Sequence, residues 1–215
     1  MRVIALPVKS LVEAKSRLHP VLEPLERAAL TLAMLEDVID VCVAMIGWDI
    51  WVISPDEAVL EVAIRREVHP VLEETPSLGA ALLQVQEEAT GRGATALATL
   101  LPDTPLITGS ALASALHTLG PIVVAPATDE VGSNLLVRRP PDAIPARFGA
   151  DSFRRHLQAA AELDLPISVV DRLELGFDLD AVDDILTVLR AGRPGRTREV
   201  LLDLDLPSRL SARGA

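Results

Sequence analysis

Four short stretches of this sequence carry residue types that could do chemistry together. The first centres on Asp103, which follows the apolar run 95–101 and stands between Pro102 and Pro105. Pro102 cannot donate a ladder hydrogen bond and Pro105 pushes Thr104 out of the helical region, so Asp103 falls in a turn where a buried strand has just ended. In open α/β sheets ligands bind at that edge, and a carboxylate there can hold a hard cation such as Mg²⁺ against a ligand's phosphates. The same side chain could instead cap the helix that starts near Thr108.

The second stretch is Lys9-Ser-Leu-Val-Glu-Ala-Lys15-Ser-Arg17, three cations within nine residues, directly after an apolar strand. First loops that bind nucleotides often carry glycines so that backbone amides can approach phosphates, and none is present here. A phosphate grip would therefore rest on the three cations, with Ser10 and Ser16 adding hydroxyls. A merely solvated loop would carry the same letters. Third comes Asp178-Leu-Asp180, where alternation points both carboxylates the same way if the segment is a strand end. Placed near Asp103, they would let several carboxylates share one metal. Asp183 and Asp184 fall in the first turn of the next helix, where negative charge is favourable without any ligand. The fourth is Gly149 with Ser152 at a helix start, either an anion site of amides and a hydroxyl or a plain cap by Asp151 or Ser152.

These residues need a scaffold, and the rest of the chain spells one. Apolar runs at 2–8, 49–54, 68–72, 95–101, 121–126, 135–137 and 167–170 read as strands, Pro70 keeping the third from an interior position. Between them lie helical patterns at about 24–47, 55–67, 75–90, 110–119 and 152–163. The first has Pro24 in its opening turn and a stripe through Leu32, Leu35, Val38, Ile39 and Cys42. Small residues Gly79, Ala80 and Ala81 leave room beside the start of the third helix. Alternating strands and helices argue for a mainly parallel sheet covered on both faces. The rhythm breaks after residue 126, at the polar turn 128–134. Arg27, in the first helix, could reach back to the basic loop or pair with a nearby Glu. His69 and His117 read as packing or surface residues.

Composition narrows the classes. The 215 residues fit one sizeable domain, 49% hydrophobic but without Tyr and with only two Trp and three Phe, so the core must be aliphatic. A formal charge of −11 is the wrong sign for wrapping nucleic acid, so any anionic ligand must meet a local cluster of bases. The single cysteine, Cys42, lies in an apolar helical pattern and reads as an inert buried thiol. No apolar run reaches the ~20 residues of a membrane span and the start lacks the marks of a signal peptide, which predicts a soluble cytoplasmic protein.

Taken together the blocks resemble the guanylyltransferases of deazaflavin (coenzyme F420) biosynthesis, which join GMP from GTP to a small phosphorylated acid. Pro7-Val-Lys9-Ser-Leu-Val-Glu-Ala-Lys15-Ser-Arg17-Leu is similar to the family's P-V-K-x-L-x-x-A-K-x-R-L. Asp103-Thr-Pro105 resembles its D-L-P, Gly132-Ser133-Asn134-Leu-Leu its G-T-N-A-L, and Phe148-Gly149-Ala-Asp-Ser152-Phe-Arg-Arg-His156 its F-G-x-x-S-x-x-x-H. Asp178-Leu-Asp180-Ala-Val-Asp183-Asp184-Ile looks like its D-I-D-T-x-x-D-L.

The resemblance implies a single-domain, Rossmann-like nucleotidyltransferase of the GT-A type, α/β with a mixed, mainly parallel central sheet, over residues 1–192, with a C-terminal helix and tail at 193–215. It implies that Lys9, Lys15, Arg17 and Asp103 are catalytic, and that Pro7, Leu78 and Gly79 join them at the nucleotide. Asp103, Asp178 and Asp180 would hold Mg²⁺ or Mn²⁺, and Ser133, Asn134, Gly149 and Ser152 would hold the acceptor. Its partners would be GTP and a small phosphorylated carboxylic acid (2-phospho-L-lactate, phosphoenolpyruvate or 3-phospho-D-glycerate), with a homodimer as the assembly and neither nucleic acid nor membrane involved. Two places depart from the pattern. Ser77-Leu-Gly79-Ala-Ala stands where the family often has G-L-N-A-A, and Asp129-Glu130-Val-Gly-Ser-Asn134 shortens its D-R-x-G-T-G-T-N. These leave open a nucleotidyltransferase with another base or acceptor, and a nucleotide-binding regulator without turnover.

Overall fold

The computed structural model describes residues 1–211. Its strands are β1 Arg2–Pro7, β2 Asp49–Ser54, β3 His69–Leu72, β4 Ala96–Leu100, β5 Ile122–Pro126, β6 Ser133–Arg138 and β7 Ile167–Val169. Its helices are α1 Pro24–Val43, α2 Glu57–Arg65, α3 Leu78–Gly91, α4 Gly109–His117, α5 Ser152–Glu162, the one-turn α6 Leu173–Gly176, α7 Val182–Ala191, α8 Arg196–Asp203 and α9 Leu206–Ser211. The strands form one seven-stranded sheet in the order β3-β2-β1-β4-β6-β5-β7. All pairings are parallel except those of β6, which runs antiparallel to both β4 and β5.

The central strands lack polar alternation because helices cover both of their faces. Ile4 and Leu6 of β1 pack with α1, α2 and α4, through residues such as Leu35, Val59 and Leu112. Val3 and Ala5 point the other way, against Ala81, Val85 and Ala89 of α3. Fully burying one Ile or Leu contributes about 1.5–3 kcal/mol, so tertiary packing rather than strand propensity fixes this sheet. Cys42 is wholly buried between α1 and the sheet, and burial pushes its thiol pKa up, away from reactivity. The edge strand β3 tolerates Pro70, and His69 packs its ring 4.7 Å from that of Trp51. His117 is exposed.

Two expectations need correction. The strand expected at 135–137 spans Ser133–Arg138, because ladder partners on both sides draw the flanking polar residues into the sheet. Residues 178–180 are not a strand but a connection between α6 and α7. Alternation survives without a ladder: Phe177 and Leu179 are buried in one apolar cluster, which turns Asp178 and Asp180 to the opposite side.

Beyond Arg193 the helices α8 and α9 pack back onto α1. The Asp37 carboxylate accepts the backbone N–H groups of Arg196 at 2.7 Å and Thr197 at 2.9 Å, satisfying two donors that the start of α8 leaves open. Leu201 and Leu206 complete an apolar cluster with Leu30 and Met34. No helix among the described residues is long and apolar enough to cross a membrane.

Candidate active site

A cleft of about 610 Å³ opens at the carboxyl ends of β1 and β4. It is lined by Pro7, Lys9, Lys15, Arg17, Leu78, Asp103, Ser133, Asn134, Gly149, Ser152, Asp178 and Asp180, which are twelve of the thirteen residues that the family resemblance assigns to the site. A second cleft of about 440 Å³ adjoins it, sharing Pro7, Lys9 and Leu78 and adding Glu73 and Ser77. The thirteenth residue, Gly79, lines neither, and a Cβ built on it would meet nothing within 4 Å. No close approach at that position calls for a glycine.

The acids meet through backbone hydrogen bonds. Leu179 N–H donates to the Asp103 carbonyl at 3.0 Å. The Asn134 amide donates to the carbonyls of Leu175 at 3.1 Å and Gly176 at 2.8 Å, so β6 clamps the segment carrying Asp178 and Asp180. Gly176 suits the close approach here: a Cβ would lie 3.0 Å from the Pro126 carbonyl oxygen. Asp184 accepts the N–H groups of Asp180 and Ala181, at 2.9 and 2.6 Å, so it fixes the start of α7 and leaves ligand chemistry to its neighbours. Asp103 does not cap α4, because Thr108 does so through Ala111 N–H.

Asp103, Asp178 and Asp180 thus each present a carboxylate oxygen within 4.8 Å of the others. Burial, followed by repulsion from Asp103 and Asp180, raises the Asp178 pKa to about 6, against the opposing pull of Lys15 and a hydrogen bond from Asn134. Lys15 Nζ lies 2.7 Å from both Asp103 Oδ2 and Asp180 Oδ1. Burial works against the Lys15 charge, yet the two carboxylates outweigh it and the pKa is raised. Asp103 Oδ1 is buried with no hydrogen-bond partner among the described residues. An orphaned carboxylate oxygen, beside a neighbour whose pKa is raised by burial and then by like charges, fits a further cation.

The cationic loop is built to reach this cluster. Arg27 donates to the carbonyls of Ala14 at 3.2 Å and Leu22 at 3.0 Å, so it anchors the loop from α1 rather than pairing with a Glu. Asp56 holds the loop's beginning by accepting Leu11 N–H at 3.1 Å. Lys15 itself adopts a left-handed conformation, φ 50, which costs a non-glycine residue about 1–3 kcal/mol and is held by these surroundings. Arg17 is largely exposed, 3.8 Å from Asp180. Lys9 is exposed and makes no ion pair among the described residues.

The opposite wall comes from the 127–133 turn and the start of α5. Asp129 accepts Val131 N–H at 2.8 Å and Gly132 N–H at 3.0 Å, an Asx turn that the Asp-x-x-Gly spacing could have signalled. Asp151 occupies the N-cap position of α5 without a side-chain cap, and Gly149 takes a φ of 102 that favours glycine. The first helical amides are partly spent: Ser152 N–H donates to Gly149 and Phe153 N–H to Val131. Buried His156 lies behind this wall, 3.2 Å from Ser133 Oγ, a link between positions 23 apart that sequence reading did not find.

The family model described as guanylyl transferase CofC like matches residues 1–213. A phosphoenolpyruvate guanylyltransferase from Rubrobacter xylanophilus is 39% identical over 189 residues, 86% of this chain and 92% of that one. A 2-phospho-L-lactate guanylyltransferase from Methanothermobacter thermautotrophicus is 34% identical over 214 residues, 97% and 94% of the two chains. A 3-phospho-D-glycerate guanylyltransferase from Phenylobacterium zucineum is 34% identical over 209 residues, 93% and 94% of them. Among solved structures, a protein from Desulfovibrio desulfuricans described as a nucleotide-diphospho-sugar transferase superposes with a TM-score of 0.78 at 20% identity, covering 98% of each chain. A cytidylyltransferase from Leptospira borgpetersenii gives 0.61 at 11% identity, covering 97% of this chain and 96% of its own. At such identities the likeness to solved structures establishes the fold.

Proposed function

This chain belongs to the CofC-like guanylyl transferase family, and on that premise we propose that it transfers GMP from GTP to the phosphate of a small phosphorylated acid with release of pyrophosphate. The acceptor is one of the three acids named for its relatives: phosphoenolpyruvate, 2-phospho-L-lactate or 3-phospho-D-glycerate. The observation that carries this reading is the convergence of Asp103, Asp178 and Asp180 within 4.8 Å, beside a cationic loop and at the edge of a nucleotidyltransferase sheet.

An all-carboxylate donor set suits a hard divalent ion, so the three aspartates would hold Mg²⁺ or Mn²⁺. Such an ion supplies neutralising charge to phosphate oxygens. Everything else falls to the chain. Lys9 and Arg17, exposed at the cleft mouth, bind the triphosphate, and Lys15 joins them from its place against the acids. Pro7 and Leu78 shape the wall between the two clefts on the nucleoside side. Ser133, Gly149 and the Ser152 hydroxyl face the acceptor, while Asn134 serves the site by holding the acidic segment in place. The acceptor phosphate is already an anion near neutral pH, so no strong general base is needed. One of its oxygens bonds to the α-phosphorus as the bond to the bridging oxygen breaks and pyrophosphate departs. The barrier lies in bringing two anions together, which fixed cations lower. Residues 1–192 form the catalytic unit in this reading. The expected assembly is a homodimer, which light scattering on the purified protein would test.

The deciding experiment crosses the four nucleoside triphosphates with the three acids and follows pyrophosphate. Release from GTP alone, with one acid and abolished by EDTA, supports the proposal. Preference for another base or for a sugar phosphate overturns it in favour of a related transferase. GTP binding without turnover under every acceptor overturns it in favour of a regulator.

A further inference from the structure

Resting on the guanylyl-transfer reading, we propose that His156, which does not line the cleft, is a positioning residue that aims the Ser133 hydroxyl proton at an anionic oxygen of the acceptor. Its imidazole is wholly buried within α5. The backbone N–H of Arg147 donates to Nε2 at 2.9 Å. A ring nitrogen that accepts a hydrogen bond carries no proton, so the neutral ring must keep its proton on Nδ1. Nδ1 lies 3.2 Å from Ser133 Oγ. Along that line, then, the imidazole donates and the hydroxyl oxygen accepts.

The consequence is directional. A serine hydroxyl has one proton to give, and the direction toward His156 is already filled by a donor. The Ser133 O–H is left to turn toward the cleft, whose wall Ser133 forms together with Gly132 and Ser152. A donor turned outward suits an anionic oxygen; a hydroxyl free to donate to an unprotonated imidazole nitrogen would present its lone pairs instead. Protonating the ring would set a second N–H against that of Arg147. Burial, followed by the charges of Arg138, Arg155 and Arg147, holds the ring pKa down to about 4. The Phe148 ring, 5.2 Å away and edge-on, fixes the plane of the imidazole. His156 is thereby kept from serving as a general base.

Two kinds of measurement test this. In ¹⁵N-labelled protein at neutral pH the His156 ring should show a protonated Nδ1 and a bare Nε2; the opposite tautomer, or a doubly protonated ring, overturns the proposal. In kinetics, Ser133→Ala and His156→Gln should each raise the KM for the acceptor on the order of tenfold with the KM for GTP unchanged, and the double variant should be no worse than Ser133→Ala. His156→Asn, whose amide can replace the Nδ1 donor, should recover most of the loss. An unchanged acceptor KM in His156→Gln, multiplicative effects in the double variant, or an Asn variant as impaired as Gln would each refute it. Should the His156 variants fail to fold, the tautomer in wild-type protein and in Ser133→Ala decides alone. Absence of turnover in the wild type with all three acids would refute the guanylyl-transfer reading, whereas the tautomer result stands independently of it.

Discussion

The Lys15 ammonium lies 2.7 Å from Asp103 Oδ2 and 2.7 Å from Asp180 Oδ1, carboxylates 88 and 165 positions further along the chain. One side chain from the first loop thus joins two turns that are remote in sequence. It also puts a fixed positive charge where three acids converge, so it both lowers their mutual repulsion and competes with any other cation they attract.

Asp103→Asn should reduce pyrophosphate release by at least about a hundredfold, because a fixed charge at the reacting phosphates is lost. Its circular dichroism spectrum should match that of the wild type, since the Asp103 contact to Leu179 is made by the main chain. Full activity in this variant would remove Asp103 from the catalytic cluster.

Lys15→Ala should move two affinities in opposite directions. Nucleotide-free protein should bind Mn²⁺ more tightly, as the competing ammonium is gone, while the GTP concentration needed for half-maximal rate should rise, each on the order of tenfold. Electron paramagnetic resonance of free Mn²⁺ reads the first and steady-state kinetics the second. If neither moves, Lys15 is not shared between acids and phosphates.

Asp178 sets a pH dependence of stability in metal-free protein. Its folded pKa of about 6 lies above the reference value of 3.8. Between these values the folded state retains a proton that the unfolded chain has released, so stability falls as pH rises from about 4 to about 6 and stays reduced above that. Asp178→Asn should remove this decline and stabilise the protein at pH 7 by on the order of 1 kcal/mol, after allowance for solvent screening of a partly exposed group. Urea midpoints measured in EDTA at several pH values would show it. A gap between variant and wild type that stays constant from pH 4 to 7 would contradict the assignment.

Asp37→Ala should cost about 1–2 kcal/mol in urea denaturation, the usual penalty for removing a helix cap, because Arg196 and Thr197 N–H lose their acceptor. Catalytic constants should stay at wild-type values, as Asp37 lies outside both clefts. Equal stabilities would mean that Leu201 and its apolar neighbours hold α8 unaided.

The strands could be read from the sequence because apolar runs such as Val3 to Leu6 are buried on both faces and leave little else for them to be. The turn at Asp103 was equally legible, two prolines bracketing one carboxylate. The connection at 178–180 carries the alternation of a strand end without being one, because alternation alone does not distinguish a laddered strand from an extended segment held by Asn134 and Asp103. Gly79 departs from the family pattern, and a Cβ there would meet nothing within 4 Å.

By itself the sequence determined the aliphatic core, the order of the strands with the helices between them, and the residue types capable of handling phosphates and a metal, since these depend on local pattern and side-chain chemistry. Only the tertiary structure decided which groups face each other. It set Lys15 against the acids, spent Asn134 and Asp184 on holding the acidic segment, and put His156 behind Ser133. Such pairings arise from crossovers that join positions far apart in the chain, and no local pattern encodes the distance between two side chains whose meeting depends on the packing of the whole sheet.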